Sequence, residues 1–418
     1  MMFKKGLSKV YIAVIAIVVI VAAVGSVAYY IWFQKSKVEI VRIGVVAPLS
    51  GPVAAQGRYL KQGFELAAED LNAKGGILGR KIELVFGDDQ TKPDVAISLI
   101  ERLITVDKVD FICGGTSSST YLPTMDVIAK YNVIVLLSIP ASSSFDVRIK
   151  ENPEKYKNIF LQDLNDTVWG SFEILWLSNT IKEGKWHPRN MKVALIAEDT
   201  DWGRGVCDTW NEMIRKHGFE VVAYEVVDYG QVDFYSVLTK IKQYDPAIIK
   251  AELTGVASGV ALVKQVKELG INALLFPGYS AEVHEFEELA GAYADYAIYY
   301  GYPVPKKWVD QLLKRFPDSD PTAAFWGYDS LIILADAIEK AGSFDTDKVR
   351  EALLKHPHKG LWGTYVFDPQ THRAIWGEEY VTPGAVEFYQ GKRYFIWPER
   401  LKEGEWTYPY HDFIQPPS

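Results

Sequence analysis

Residues 41–76 contain a strand pattern, a turn and a helix pattern in immediate succession, and this order strongly restricts the possible fold. The apolar run Val41–Ala47 stops at Pro48 and at the turn sequence Ser50-Gly51-Pro52. Apolar or small side chains then recur with helical spacing from residue 56 to residue 73, just before the Gly75-Gly76 pair. A strand, a loop and a helix in this order form the first half of a parallel βαβ unit.

The same alternation continues along most of the chain. Strand patterns lie near 41–47, 81–86, 109–113 and 133–138, with helix patterns near 56–73, 93–106 and 117–130. The pattern restarts around 158–163, and a second series of strands and helices runs from 192 to 277. Such alternation predicts parallel sheets with helices on both faces. We therefore expect two tandem α/β units within residues 40–300, followed by three helices and several short strands.

The N-terminal segment has no charged residue between Val10 and Phe33. As a helix, this segment would extend about 36 Å, which exceeds a bilayer core of about 30 Å. We expect residues 1–39 to form an N-terminal anchor or signal segment with a short stalk, and residues 10–33 to be a transmembrane helix. Removal of the segment is the alternative, although Gly25, Ser26 and Ala28 offer only a poor cleavage site. Cleavage after Gly6, in a prepilin-like signal, would keep the apolar helix on the mature protein.

Composition and motifs argue against several classes of function. The formal net charge is −8, without a basic patch, so nucleic-acid binding is not expected. The two cysteines and seven histidines do not have metal-ligand spacing. Motifs of nucleotide-binding, zinc-hydrolase and serine-hydrolase sites are absent from the sequence. We expect a protein that is not an enzyme and that needs neither a cofactor nor a metal.

Two hydroxyl-rich loops follow neighbouring strands of the first unit. Gly114–Thr120 reads GGTSSST, and Pro140–Ser144, after the next strand, reads PASSS. Each loop presents hydroxyl and backbone N–H groups at a predicted helix start, where a carboxylate is stabilised. Helix capping would by itself explain the hydroxyl residues of either loop considered alone. Because the carboxyl ends of adjacent parallel strands meet at one edge of the sheet, the pair predicts a ligand site there.

The sequences of these segments resemble those of the type I periplasmic solute-binding proteins of the leucine/isoleucine/valine-binding family. The resemblance lies in PLSG (Pro48–Gly51), in N-x-x-GG (Asn72–Gly76), in SSST (Ser117–Thr120) and in P-A-x-S (Pro140–Ser143). It covers about residues 40–370. It implies an α/β fold of two Rossmann-like parallel-sheet lobes joined by a three-strand hinge, the type I periplasmic binding protein fold, here preceded by one N-terminal transmembrane helix.

The resemblance also implies where the lobes are divided. The chain of that family crosses between lobes three times, and the matching positions here lie near 162, 301 and 364. Lobe 1 would then comprise residues 40–161 and 302–362, and lobe 2 residues 163–300 and 365–418. Three crossing strands form a hinge that allows the lobes to close on a ligand.

The resemblance implies specific contacts to an amino-acid ligand. Ser117, Ala141 and Ser143 match the positions that hold the α-carboxylate and α-amino groups, and Trp202 matches an aromatic position of the second lobe. The acidic position that pairs with the ammonium group falls on Ser280. Burying an ammonium group without a carboxylate is costly, so we expect Glu252 or Glu282 to supply the charge. An amide, a urea-like compound or a small carboxylate remains an alternative ligand.

These expectations combine into one functional prediction. The chain would be the solute-binding component of an ABC importer, which captures a branched-chain or other amino acid outside the cell membrane. The permease and ATPase subunits would be separate chains. A sensory receptor with the same fold is the alternative, but only nine residues precede Val10, too few for a signalling domain inside the cell. A hydrolase would need a nucleophile and base that the sequence does not offer.

Overall fold

A computed structural model describes residues 14–26, 39–51 and 53–411. Residues 14–26 are helical. Within the described ranges, no helix combines the length and the apolar character needed to cross a membrane. Residues 10–13 and 27–33 of the predicted transmembrane segment lie outside the described residues.

The first sheet has five parallel strands in the order β2-β1-β3-β4-β5. The strands are β1 (Ile40–Ala47), β2 (Lys81–Asp88), β3 (Phe111–Gly114), β4 (Val135–Leu137) and β5 (Ile159–Leu161). Strands β3, β4 and β5 are buried along their whole length because helices cover both faces of the sheet. The order reverses between β1 and β3, which is where open α/β sheets place a ligand crevice.

Helices cover this sheet in the positions that the apolar spacing predicts, with one interruption. They are α1 (Ala54–Ala73), α2 (Pro93–Thr105), α3 (Ser118–Tyr121), α4 (Met125–Ile128) and α5 (Ser144–Glu151). The sequence predicts one helix over 117–130, but a short 3₁₀ turn at Leu122–Thr124 separates α3 from α4. Pro123 lies in that turn, and a proline lacks the backbone donor that a continuous helix requires.

The second sheet has four parallel strands in the order β7-β6-β8-β9. Its elements in chain order are α6 (Asp166–Lys182), β6 (Lys192–Glu198), α7 (Asp201–Met213), β7 (Glu220–Val227), α8 (Tyr235–Lys242), β8 (Ile248–Glu252), α9 (Val256–Glu268), β9 (Leu274–Phe276) and α10 (His284–Ala290). The order reverses between β6 and β8, so this lobe also has a crevice at the carboxyl ends of its strands.

The remaining helices return to the first lobe after strand β10 (Ile298–Gly301). They are α11 (Lys306–Arg315), α12 (Pro321–Ala341) and α13 (Thr346–Lys355). Helix α12 packs closely against α1 through two glycines. A Cβ atom on Gly63 would lie 1.8 Å from the carbonyl oxygen of Ala324, and one on Gly327 would lie 2.2 Å from that of Leu60. Larger residues at these positions would separate the two helices.

The last strands join the second lobe later than the sequence predicts. Strands β11 (His358–Lys359) and β12 (Thr364–Tyr365) form a small pair, while β13 (Gly384–Tyr389) and β14 (Lys392–Trp397) join β10 in an antiparallel sheet. The predicted crossing lies near residue 364, but Arg373 still forms a parallel bridge with Leu161 of β5. The chain therefore leaves the first lobe only after Ala374, whose backbone N–H donates to the carbonyl of Leu161 at 2.9 Å.

Aromatic side chains fill the region where the chain passes between the lobes. The rings of Trp169 and Tyr300 lie 4.2 Å apart between centroids, and Tyr302 meets Trp169 edge-on at 5.8 Å. Trp362 stacks parallel to Trp169 at 6.1 Å. All four side chains are buried, so this aromatic cluster forms a continuous apolar floor beneath the space between the lobes.

Candidate functional site

A cleft opens between the carboxyl ends of the two parallel sheets. It encloses about 650 Å³ of space, including its open mouth. Residues from both lobes and from the crossings line it: Val53, Gln56, Thr91, Thr116, Ser117, Ser118, Ser119, Ile139, Ala141, Asp163, Trp169, Thr200, Trp202, Tyr229, Thr254, Tyr279, Tyr300 and Tyr302. Of the six residues predicted as ligand contacts, Ser117, Ala141 and Trp202 line the cleft.

The two hydroxyl-rich loops of the first lobe meet in the structure, joined by a residue that the sequence did not single out. The Oγ atom of Ser118 accepts hydrogen bonds from the backbone N–H groups of Ala141 and Ser142, both at 3.0 Å. Ser118 is itself buried. This bond pair holds the second loop against the first and presents Ser117 and Ala141 at one wall of the cleft.

Ser143 occupies a different position from its predicted one. Its backbone N–H donates to Oδ2 of Asp166 at 3.0 Å, at the start of α6. The backbone N–H of Asp166 in turn donates to the carbonyl of Ala141 at 2.8 Å. The loop therefore directs Ala141 toward the cleft and Ser143 toward the helix of the second lobe, because these bonds fix its path.

Trp202 lines the cleft from the second lobe, at the beginning of α7. Thr200 caps this helix, since its Oγ1 accepts a hydrogen bond from the backbone N–H of Gly203 at 2.9 Å. The indole Nε1 of Trp202 donates to Oε1 of Glu252 at 3.0 Å. The cap fixes the helix start and the carboxylate fixes the ring, so the aromatic surface of Trp202 is held at the cleft.

Glu252 lies behind the cleft wall and is fully buried. Besides Trp202, its Oε1 accepts a hydrogen bond from the backbone N–H of Tyr279 at 2.8 Å. Its Oε2 accepts from Nζ of Lys250 at 2.8 Å, and Lys250 also donates to Glu173 at 2.8 Å. Burial lowers the pKa of Lys250, but the carboxylates of Glu173 and Glu252 outweigh burial and raise it overall. Glu252 thus orients two residues of the cleft wall instead of facing the cleft.

Asp163 is the one carboxylate among the lining residues, and sequence reasoning missed it. Its Oδ1 accepts hydrogen bonds from the backbone N–H of Leu164 at 2.7 Å and from Nε1 of Trp169 at 3.2 Å. Burial raises its pKa well above the ordinary range, although the guanidinium group of Arg373 opposes the rise. Its place just after the predicted crossing near 162 is the signal that would have identified it, since residues at a hinge face the space between lobes.

The innermost part of the cleft combines aromatic rings with polar hydroxyl groups. Tyr279 and Tyr300 line it, and both side chains are buried. Within the described residues, neither hydroxyl group makes a hydrogen bond of good geometry; that of Tyr279 lies close to the carboxyl group of Glu282. Buried polar atoms in proteins are almost always paired with protein, water or ligand, so these two hydroxyl groups mark a place where a polar group fits.

Glu282 lies near this inner end but outside the lining of the cleft, and it is fully buried. Among the described residues, neither of its carboxylate oxygens accepts a hydrogen bond of good geometry, and the side chains of Tyr279 and Trp326 lie close to them. Burial raises the pKa of Glu282 well above its ordinary value; the side chains of Tyr279 and Trp326 oppose this rise, whereas the carboxylates of Asp320 and Asp163 add to it. The sequence predicts Glu282 as a direct ligand contact, whereas the structure places it behind the residues that line the cleft.

The comparisons with known proteins agree with this architecture. A family model described as periplasmic binding protein matches residues 40–379. A Leu/Ile/Val-binding protein homolog from Brucella abortus is 29% identical over 334 residues, which cover 78% of this chain and 86% of that protein.

Solved structures of two bacterial proteins show the same fold. One is the branched-chain amino acid transporter substrate binding protein LivJ from Streptococcus pneumoniae in complex with isoleucine, at 23% identity and a TM-score of 0.74, covering 85% of this chain and 98% of that chain. The other is a leucine binding protein from Thermotoga maritima, at 22% identity and a TM-score of 0.72, covering 85% of this chain and 97% of that chain. The chain therefore belongs to the periplasmic binding protein family and has the type I fold, with a parallel sheet in each of two lobes.

Proposed function

We propose that this protein is the solute-binding component of an ABC importer and that it captures an amino acid by closure of its two lobes. One observation carries the proposal: the cleft faces the carboxyl ends of both parallel sheets, with hydroxyl-rich loops on one wall and aromatic residues on the other. The relatives named for binding leucine, isoleucine or valine support an amino acid as ligand. Binding and release then require no covalent step, so an enzymatic activity is not part of the proposal.

The division of roles within the cleft follows from polarity. Ser117 and the backbone beside Ala141 would receive the carboxylate, since hydroxyl and N–H groups stabilise anions. Asp163 would receive the ammonium group, because it is the carboxylate that lines the cleft. Trp202 would cover the ligand from the second lobe. Ser143 would act from behind the wall by fixing the path of its loop.

Glu252 and Glu282 are proposed to act from behind the opposite wall. Glu252 would keep Trp202 and Tyr279 in position through its two hydrogen bonds. Glu282 would add negative charge near the inner end, where its carboxylate oxygens have no partner among the described residues. In this arrangement, neither carboxylate would contact the ligand directly.

The apolar segment 10–33 supports a location at the outer face of a membrane. We propose that it is retained as an anchor, with the binding lobes in the periplasm or outside the cell, and that separate permease and ATPase chains receive the solute. Mass analysis of the protein from its native host tests this. A mature chain that begins beyond residue 25 and is recovered free of membranes would contradict the anchor.

Binding is tested by thermal shift on the full chain in mild detergent. The panel would contain amino acids, their amides and the matching deaminated carboxylates, since a ligand that binds only the folded state raises the melting temperature with its concentration. A shift with amino acids alone supports the proposal. A shift with amides, urea-like compounds or plain carboxylates alone would assign the ligand to that class.

A sensory role with the same fold is the alternative. The test is the route that the bound solute takes. Uptake of labelled ligand by cells that depends on this chain supports an importer, whereas a response without uptake would support a receptor.

A further inference from the structure

The inner end of the cleft holds more buried carboxyl groups than one zwitterionic amino acid can pair with. Asp163 lines the cleft and Glu282 lies close behind it, and both side chains are buried. Two buried carboxylates are costly to ionise without positive partners. A single α-ammonium group would neutralise one of them and leave the other without a countercharge.

Among the described residues, the nearby cations make no hydrogen bond to either carboxyl group, although the charge of Arg373 favours ionisation of Asp163. The guanidinium group of Arg373 donates from Nε to Asp146 at 2.7 Å, and its other nitrogens donate to backbone carbonyls. Arg393 pairs with Glu287 at 3.1 Å and reaches only the backbone carbonyl of Glu282, at 2.7 Å. Within the described residues, the carboxylate of Glu282 accepts no hydrogen bond of good geometry, and the side chains close to it, Tyr279 and Trp326, are uncharged.

A second observation at the same place points independently to a ligand group. The hydroxyl groups of Tyr279 and Tyr300 are buried at the inner end of the cleft, and neither makes a hydrogen bond of good geometry among the described residues. A hydroxyl group accepts hydrogen bonds as readily as it donates them. These two hydroxyl groups, with the carboxyl group of Glu282 behind them, suit the N–H donors of a primary ammonium group.

The walls around these acceptors also suit a cation on a flexible stem. Trp169, Tyr300 and Tyr302 form an aromatic surface at the inner end. Aromatic faces attract cations, and they also pack well against methylene chains. A neutral aliphatic side chain would fit the aromatic walls but would leave Glu282 and the two hydroxyl groups without a cationic partner.

We propose that the cleft takes an amino acid with a second cationic group at the end of its side chain, which enters the inner pocket between Tyr279 and Tyr300 with Glu282 behind them, while Asp163 pairs with the α-ammonium group. The inference rests on the proposed function, since it names the substrate class of the same site. The carboxylate group of the ligand would bind at the loop of Ser117. Its two cationic groups would neutralise the two carboxylates of the protein, Asp163 and Glu282.

Lysine and norleucine form the matched probe pair, because norleucine has the same carbon chain and lacks only the terminal ammonium group. Calorimetry on the full chain should give an affinity for lysine about ten- to hundredfold above that for norleucine, as expected for a charged hydrogen-bonding group. Equal or tighter binding of norleucine, leucine or isoleucine would overturn the inference and leave the proposed function intact. Absence of binding by every amino acid tested would overturn both.

Variants locate the effect at the inner end. Glu282→Gln keeps the shape of the side chain and removes its charge, so it should reduce the preference for lysine over norleucine. Tyr279→Phe removes one acceptor with little change in packing and should act in the same direction. Glu379→Gln, at an exposed carboxylate, is the control and should leave the preference unchanged. An undiminished preference in both Glu282→Gln and Tyr279→Phe would refute this placement of the second cation.

Discussion

Ser119 of the first lobe and Asp201 of the second lobe are hydrogen bonded across the mouth of the cleft. The Oγ of Ser119 donates to Oδ2 of Asp201 at 2.9 Å, and the backbone N–H of Asp201 points back to the same Oγ at 3.3 Å. The two residues are 82 positions apart in sequence. This contact joins the lobes at the rim and therefore belongs to the closed arrangement of the protein.

Ser119→Ala should favour the open arrangement. The bond lies at an exposed rim, so its loss should cost about 1 kcal/mol and weaken ligand binding roughly fivefold. Small-angle scattering without ligand should show a larger radius of gyration than for the wild type. Ser98→Ala is the control, since it removes an exposed helical serine whose Oγ donates to the backbone carbonyl of Asp94 in the same helix. Identical scattering and affinity for the Ser119 variant and the wild type would contradict a role in closure.

Ser117→Ala and Ser118→Ala should separate ligand binding from stability, although the residues are adjacent. Ser117 faces the cleft, so its loss should weaken ligand binding about ten- to hundredfold with little change in melting temperature. Ser118 accepts two buried backbone N–H groups, and leaving them unpaired should lower the free energy of unfolding by about 1–3 kcal/mol. Calorimetry and thermal denaturation of both variants measure the contrast. Ser143→Ala should weaken binding less than Ser117→Ala, since Ser143 does not line the cleft and its side chain hydrogen bonds to Asp166.

Glu252→Gln should affect all ligands alike, whereas Asp163→Asn should discriminate among them. Glu252 acts through Trp202 and Tyr279, so its replacement disturbs the cleft wall whatever the ligand charge. It also removes one partner from the buried Lys250, and breaking a buried ion pair costs about 3–5 kcal/mol of stability. Asp163→Asn should weaken binding of an amino acid but spare its deaminated analogue. A charge-selective effect in Glu252→Gln would show that Glu252 meets the ligand after all.

Glu387 should make the protein less stable as the pH rises. Burial raises its pKa to about 9, while an unfolded chain has a glutamate pKa of about 4.3. The folded state therefore binds the proton more tightly, and its stability falls by about 1.4 kcal/mol per pH unit between these two values. Glu387→Gln removes this titration and should raise the melting temperature at pH 8, with a difference that shrinks toward pH 4. Exposed Glu379→Gln is the control, and a pH-independent difference for Glu387→Gln would contradict the assignment.

The sequence alone determined the alternation of strands and helices and therefore the α/β class. Apolar spacing is a local property, and so are the stops at Pro48, Gly75 and Gly76. The helix predicted over 117–130 failed for an equally local reason, because Pro123 interrupts it. The two hydroxyl-rich loops were predictable too, since the carboxyl ends of neighbouring parallel strands must lie at one edge of a sheet.

Only the tertiary structure decided which side chains face the cleft. Ser118 bonds to a loop more than 20 residues away, and the pairing of Leu161 with Arg373 delays the third crossing between lobes. Asp163, Tyr279 and Tyr300 come together because two lobes and a hinge converge on them. Glu252 does not face the cleft because its carboxylate accepts hydrogen bonds from Lys250, from the indole N–H of Trp202 and from the backbone N–H of Tyr279. Such contacts join residues that are far apart in the sequence, and local sequence patterns do not predict them.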